Sequence, residues 1–370
     1  MLAIPPVVPL LHADLHLSEA GIGWLSSLPP LMFAIAAVPG SLLIARFGIV
    51  PALVVGLLLT AIGSAARGAM PDATVLYAST IVMAAGVSIM QPSLPPLVRE
   101  WFPRRIGFAT AVYTNGLLVG EVIAVAFTIP FVLPLLHNSW RLDMAVWSIP
   151  VAATALLVVC CAPRRGGAEI AAALAKRRWW PDWRDPLIWR LGLIFGSVNA
   201  AYFATNAFLP DYMTDSGRPD LVSAALTALN LGQLPASFIM LPLAERLVTR
   251  PAAYRATGSL SFLCVLGMLF SKGLWIVFWA GVLGFAGAAT LILALALPSV
   301  LSAPDDVHRT SAGMFTISYS CAMVLSVFVG WLWDATHRPL AGFAPVALCG
   351  LVIVALASTV KHADRQAAAV

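Results

Sequence analysis

The sequence predicts an all-α integral membrane protein made of two related six-helix bundles. Three observations carry that reading. The 370-residue chain is 60% hydrophobic and 11% charged, with a mean hydropathy of +0.89. Apolar stretches of roughly 20 residues, the length that crosses a bilayer as helix, recur along its whole length. Its two halves also repeat one another's local motifs.

Composition comes first. A soluble domain carries about 25% charged residues. This chain has too little charge to build a wet surface, so its apolar residues face lipid. The net charge of +5 is modest. The basic residues sit in short loops between apolar runs, which encodes membrane topology and does not point to nucleic acid. Cys160, Cys161, Cys264, Cys321 and Cys349 fall inside apolar runs without metal-site spacing. They read as small packing residues.

Membrane spans are expected near residues 21–45, 49–69, 74–98, 106–130, 140–161, 187–210, 221–244, 256–271, 274–300, 310–333 and 340–360. A further apolar piece, Met1 to Leu11, is too short. As helix it reaches roughly 17 Å against a hydrocarbon core of about 30 Å. Pro5, Pro6 and Pro9 interrupt it and no basic segment precedes it, unlike a signal peptide. It is expected to be the second half of a first helix whose beginning lies upstream or has been lost.

Charge sets the expected orientation. Taken alternately, one set of linkers holds Arg67, Arg141, Arg218, Lys272 and Arg338, and the other holds the remaining seventeen of the 22 Lys and Arg residues. The richer set is expected to be cytoplasmic. That places the linker 162–186 and the C-terminus inside. The organisation is then an N-terminal bundle (1–161), a basic cytoplasmic linker (162–186) and a C-terminal bundle (187–370). The linker mixes Trp179, Trp180 and Trp183 with Lys176, Arg177 and Arg178, which suits an amphipathic connector on the inner leaflet.

The internal repeat is local but clear. LLIARFGIVPALVVG (Leu42 to Gly56) is echoed by LPLAERLVTRPAAYRATG (Leu241 to Gly258). Each places an arginine, Arg46 or Arg246, in a tight turn ahead of Pro51 or Pro251. LPPLVREWFPRRIGFATAVYTNG (Leu94 to Gly116) likewise parallels LPSVLSAPDDVHRTSAGMFTISY (Leu297 to Tyr319). Internal repeats are characteristic of transporters, whose solute site lies between two halves.

These residues resemble the major facilitator superfamily. The turn from Gly40 to Gly48 is similar to that superfamily's signature loop, with Arg46-Phe47-Gly48 kept. Ala45 stands where an acid is usual, and Ile49 and Val50 where a basic pair is usual. LPPLMFAIAAVPG (28–40), LPPLVREWFPRRIGFATAVYTNG (94–116), NAFLPDYM (206–213) and LNLGQLPASFIMLPLAERL (229–247) resemble more specifically the cyanate and nitroimidazole transporter branch. The resemblance implies a major facilitator fold, solute transport by alternating access, and gating roles for Gly40, Arg46, Gly48, Glu245 and Arg246. It also implies that the spans containing Gln91 and Asn199 line a central cavity, flanked by those containing Tyr113, Asn230 and Tyr319.

The polar residues inside the spans are the candidate site. Asn199, Tyr202 and Asn206 are three and four apart and share one helix face. Asn230 and Gln233 share another. With Gln91, Tyr113, Asn115 and Tyr319 they offer hydrogen bonds to a small polar or anionic solute, or simply join helices to one another. Glu121 lies deep in its span. An ionisable residue there is a functional candidate, here for proton coupling, with an ion pair to Arg67 or Arg141 as the structural alternative. Glu121 stands where the antiporter signature has Gly-Pro, which disfavours an antiporter.

No phosphate-binding Gly-Lys-Ser/Thr loop occurs. Asp305, Asp306 and His308 read as a solvated turn and not a metal site. No nucleophile–base–acid set stands out. The chain is therefore expected to be a non-enzyme without cofactor or metal, acting as a monomer in the bacterial inner membrane among lipid. The expected partners are a small solute and protons, with no nucleic acid. The rival readings are an exporter of hydrophobic compounds, with a cavity of Met and aromatics, and a non-transporting membrane sensor.

Overall fold

The computed structural model describes residues 14–15, 19–70, 72–163, 178–336 and 339–361. These are almost entirely helical, with no strand among the described residues. The helices are α1 (Glu19–Phe47), α2 (Ile49–Ala66), α3 (Ala73–Trp101), α4 (Ile106–Phe127), α5 (Trp140–Cys161), α6 (Pro186–Asp215), α7 (Val222–Leu231), α8 (Gln233–Leu247), α9 (Pro251–Phe270), α10 (Leu274–Leu301), α11 (Val307–Thr336) and α12 (Pro339–Leu356). Among the described residues, eleven stretches are long and apolar enough to span a membrane, and they coincide with the eleven spans read from the sequence. The partial span at Met1 to Leu11 falls outside the described residues.

Helix is the form that satisfies every backbone group without water. Hydroxyls inside the spans follow the same logic. Thr60, Thr80, Ser88, Ser93 and Thr290 each donate to the carbonyl four residues back, at 2.7–2.9 Å. The outward faces are apolar: Ile62, Leu156, Leu157, Phe270, Trp275, Val327 and Trp331 are all exposed. Such a surface suits lipid and not water.

Boundaries follow local chemistry. Asp185 caps α6 by accepting from Leu187 N–H (2.8 Å), with Pro186 in the first helical position. Ser139 caps α5 through Leu142 N–H. The run 221–244 divides at Gly232 into α7 and α8 but stays one span, since Gly232 keeps helical dihedrals (φ −58°, ψ −22°) and donates to the Ala228 carbonyl (2.8 Å). Pro235 weakens the joint, because it has no N–H to give the Leu231 carbonyl.

Contacts group the chain into two units, residues up to 97 with 119–181, and 98–118 with 182–370. In the first unit α2 runs along α5, over a cluster of Leu25, Leu76, Leu133, Trp140 and Met144. In the second, α6 packs along α11, α9 against α10 and α12, and α10 against both α7 and α8. Its core gathers Tyr212, Met268 and Phe343, and Tyr212 Oη donates to the Met268 carbonyl (2.8 Å). Residues 106–118 of α4 belong with the second unit and the rest of α4 with the first.

Residues 164–177 of the linker lie outside the described residues. The described part, 178–185, is irregular and not helical. Ser41 in α1 anchors it by donating to the Trp179 carbonyl (2.7 Å). Trp179 and Trp180 are exposed and meet edge-to-face at 5.1 Å.

Candidate functional site

Three of the expected site residues meet where α6 faces α7. Tyr202 and Asn206 are one turn apart on α6, so both present to the same neighbour. Tyr202 Oη donates to Asn230 Oδ1 (2.6 Å). Asn230 Nδ2 donates to Asn206 Oδ1 (3.0 Å) and to the Leu226 carbonyl (2.8 Å). Asn206 Nδ2 returns to the Tyr202 carbonyl (3.0 Å). All three side chains are half-buried. Asn230 lies two residues before the division at Gly232, and Gln233 is buried just after it.

The other candidates are placed separately. Asn199 is buried and donates to Ser318 Oγ of α11 (2.8 Å). The neighbouring Tyr319 is buried and stacks on Phe315. Asn115, on the part of α4 that belongs with the second unit, donates to Ser237 Oγ of α8 (2.8 Å). Tyr113 is half-buried two residues earlier. Gln91 and Glu121 are half-buried in the first unit.

The expected gating residues lie at or near helix ends in each unit. Gly48 adopts φ 93°, a left-handed conformation that suits glycine, between α1 and α2. Gly40 is buried against Ile89 and Pro92 of α3. Arg46 and Arg246 are exposed. Glu245, in the last turn of α8, accepts from the Phe108 N–H in the first turn of α4 (3.1 Å). A carboxylate thus meets the positive end of a helix dipole. Gly107 makes the approach possible, because a Cβ there would lie 2.7 Å from Glu245 Cα. Nearby, Arg99 donates to the carbonyls of Ser299 (3.0 Å) and Ser302 at the negative end of α10.

The arginines considered as partners for Glu121 face other groups. Arg67 is 1% exposed and Asp143 0%, and Asp143 is the counter-charge of Arg67. Arg67 caps the end of α2 and Asp143 lies in the first turn of α5. Neither Nε nor Nη1 of Arg67, nor either Asp143 carboxylate oxygen, makes a hydrogen bond. The Trp147 indole instead donates to Thr128 Oγ1 (3.0 Å). Arg141 pairs with Asp14 at 2.7 Å.

Sequence reasoning passed over Ser318, Ser237, Arg99 and Asp143. Serines are common in membrane helices and carry no distinguishing spacing. Asp143 is 76 residues from Arg67, and nothing local in the sequence joins the two.

Residues 1–320 match the sequence profile of the Major Facilitator Superfamily. The chain is 23% identical to an uncharacterized transporter of Bacillus subtilis (strain 168), over 98% of this chain and 89% of that one. It is 27% identical to the cyanate transport protein of Escherichia coli (strain K12), over 96% and 92%, and 24% identical to that organism's 2-nitroimidazole transporter, over 93% and 87%. Among solved structures, the E. coli fucose:proton symporter superposes with a TM-score of 0.76 at 16% identity, covering 97% of this chain and 95% of that one. That likeness is one of fold.

Proposed function

The chain belongs to the Major Facilitator Superfamily, a family of membrane transporters and not of enzymes, and from that premise we propose that it is a secondary active transporter for a small polar solute. The half-buried Tyr202–Asn206–Asn230 triad carries this reading. It brings hydrogen-bonding groups of two spans together, as a polar solute site requires. The cyanate and 2-nitroimidazole transport proteins among its relatives support a solute of that size.

Transport proceeds by rocker-switch alternating access. The seventeen-to-five charge asymmetry supports a bacterial inner-membrane protein with the linker and C-terminus in the cytoplasm. Glu245 on the α4 amide and Arg99 on the α10 carbonyls then form cytoplasmic gate contacts that break when the cytoplasmic side opens. Glu121 is the proton-coupling carboxylate.

Uptake into proteoliposomes tests the solute site. Asn199→Ala, Tyr202→Phe and Asn206→Ala should each weaken solute binding a few-fold to tenfold, since one lost hydrogen bond costs about 0.5–1.5 kcal/mol. Unchanged affinity in all three variants removes α6 from the site. For coupling, Glu121→Gln should abolish proton-driven accumulation while solute-for-solute exchange persists. Intact accumulation in that variant excludes the role.

A further inference from the structure

We infer that the solute is uncharged and rich in hydrogen-bond donors, an amide or N–H heterocycle, and not a small anion. This rests on the reading of the α6–α7 face as the solute site, and it narrows that reading by charge.

The first ground is where positive charge lies. An anion taken from water into the membrane interior loses several kcal/mol of hydration unless a cation or a set of donors replaces it. Between Arg190 and Arg246, the stretch holding α6, α7 and most of α8, the sequence contains one cationic side chain, Arg218. That residue lies in the loop between α6 and α7. Its guanidinium is engaged by the Asp220 carboxylate through two hydrogen bonds, at 2.9 and 2.8 Å. Arg190 and Arg246 stand in the first and last turns or so of their helices. Between Arg190 and Arg246, α6, α7 and α8 themselves therefore bring no unpaired cation to Asn206 and Asn230.

The second ground is what the amides still offer. A neutral amide has two N–H donors and one oxygen with two lone pairs. Both Asn230 hydrogens are used, on Asn206 and on the Leu226 carbonyl. One Asn206 hydrogen is used on the Tyr202 carbonyl. One hydrogen remains on Asn206, against one unused lone pair on each of Asn206 Oδ1 and Asn230 Oδ1. The surplus is of acceptors.

The third ground is Pro235. It has no N–H to give the Leu231 carbonyl, which belongs to the residue next to Asn230. A carbonyl freed in this way is a further acceptor, which repels an anion and welcomes an N–H.

Matched pairs of equal size test the inference: acetamide against acetate, nicotinamide against nicotinate, and orotamide against orotate. The readout is the melting temperature of the purified protein with each compound, followed by counterflow in proteoliposomes. At least one neutral member should raise the melting temperature and its acid partner should not. An acid that matches or exceeds its neutral partner overturns the inference, and so does a panel in which no neutral compound acts. The same panel on Asn206→Ala and Asn230→Ala separates the two layers. Neutral compounds that stabilise wild type and both variants alike leave the charge class standing and move the site elsewhere. Acids that stabilise wild type but neither variant keep the site and sink the charge class. Asn206→Lys should reverse the preference within each pair.

Discussion

The first unit buries a charged pair, whereas the second buries neutral amides. Arg67 and Asp143 are sealed from solvent without a hydrogen bond between them. Tyr202, Asn206 and Asn230 are half-buried and closely bonded to one another. The charged pair is held by long-range attraction and by the ends of its own helices. Arg67 stands at the negative end of α2 and Asp143 at the positive end of α5. The amide triad has no such field and depends on geometry. A charge interaction of the first kind acts at a distance and tolerates small shifts of the two helix ends. A network of the second kind responds to any group that competes for its hydrogen bonds, as a binding site must.

The largest expected effect is in the first unit. Arg67→Ala or Asp143→Ala alone should lower stability by about 3–5 kcal/mol, because each leaves a buried charge uncompensated. The joint replacement Arg67→Met with Asp143→Leu should recover most of the loss. Thermal denaturation of the three proteins in one detergent measures this. A double variant as unstable as the singles would show that the pair is not an isolated electrostatic unit.

The amide triad should respond more gently. Asn230→Ala should cost about 1–3 kcal/mol, since it strands the Tyr202 hydroxyl and the Asn206 carbonyl group. A double-mutant cycle with Tyr202→Phe should give a coupling of at least about 0.5 kcal/mol. Additive losses would mean that the bond is not made. The smallest effect belongs to the other ion pair of the first unit. Arg141 and Asp14 keep about a third of their side chains in contact with solvent. Arg141→Ala should cost under about 1 kcal/mol and less still at high salt. Denaturation at two ionic strengths would reveal any larger, salt-insensitive loss and put the two pairs on the same footing.

Apolar length made the spans legible in the sequence. Ile49–Ala66 and Trp140–Cys161 are visible because charge is excluded from a bilayer far more strictly than from a protein core. The division at Gly232 was less visible, because the run 221–244 reads as one span by its length and overall hydropathy. Helical spacing put Tyr202 and Asn206 on one face, yet nothing local says that Asn230 meets them, since that depends on how α7 packs on α6. The pairing of Arg67 was hidden for the same reason. Asp143 lies 76 residues further along, and only the packing of α2 on α5 joins them.

The contacts of Glu245 and Arg99 have a consequence for how this molecule can change over evolutionary time. Each charge addresses the main chain: the amide of residue 108, and the carbonyls of residues 299 and 302. Every amino acid except proline has that amide, and every one has that carbonyl. The receiving positions can therefore drift freely without loosening the contact. Paired substitutions will not mark it, and no charge reversal at the receiving residue can restore it once Glu245 or Arg99 is lost. Only a proline at 108 or a bulky residue at 107 would break it from the other side. Comparisons that look for co-varying side chains will miss these contacts.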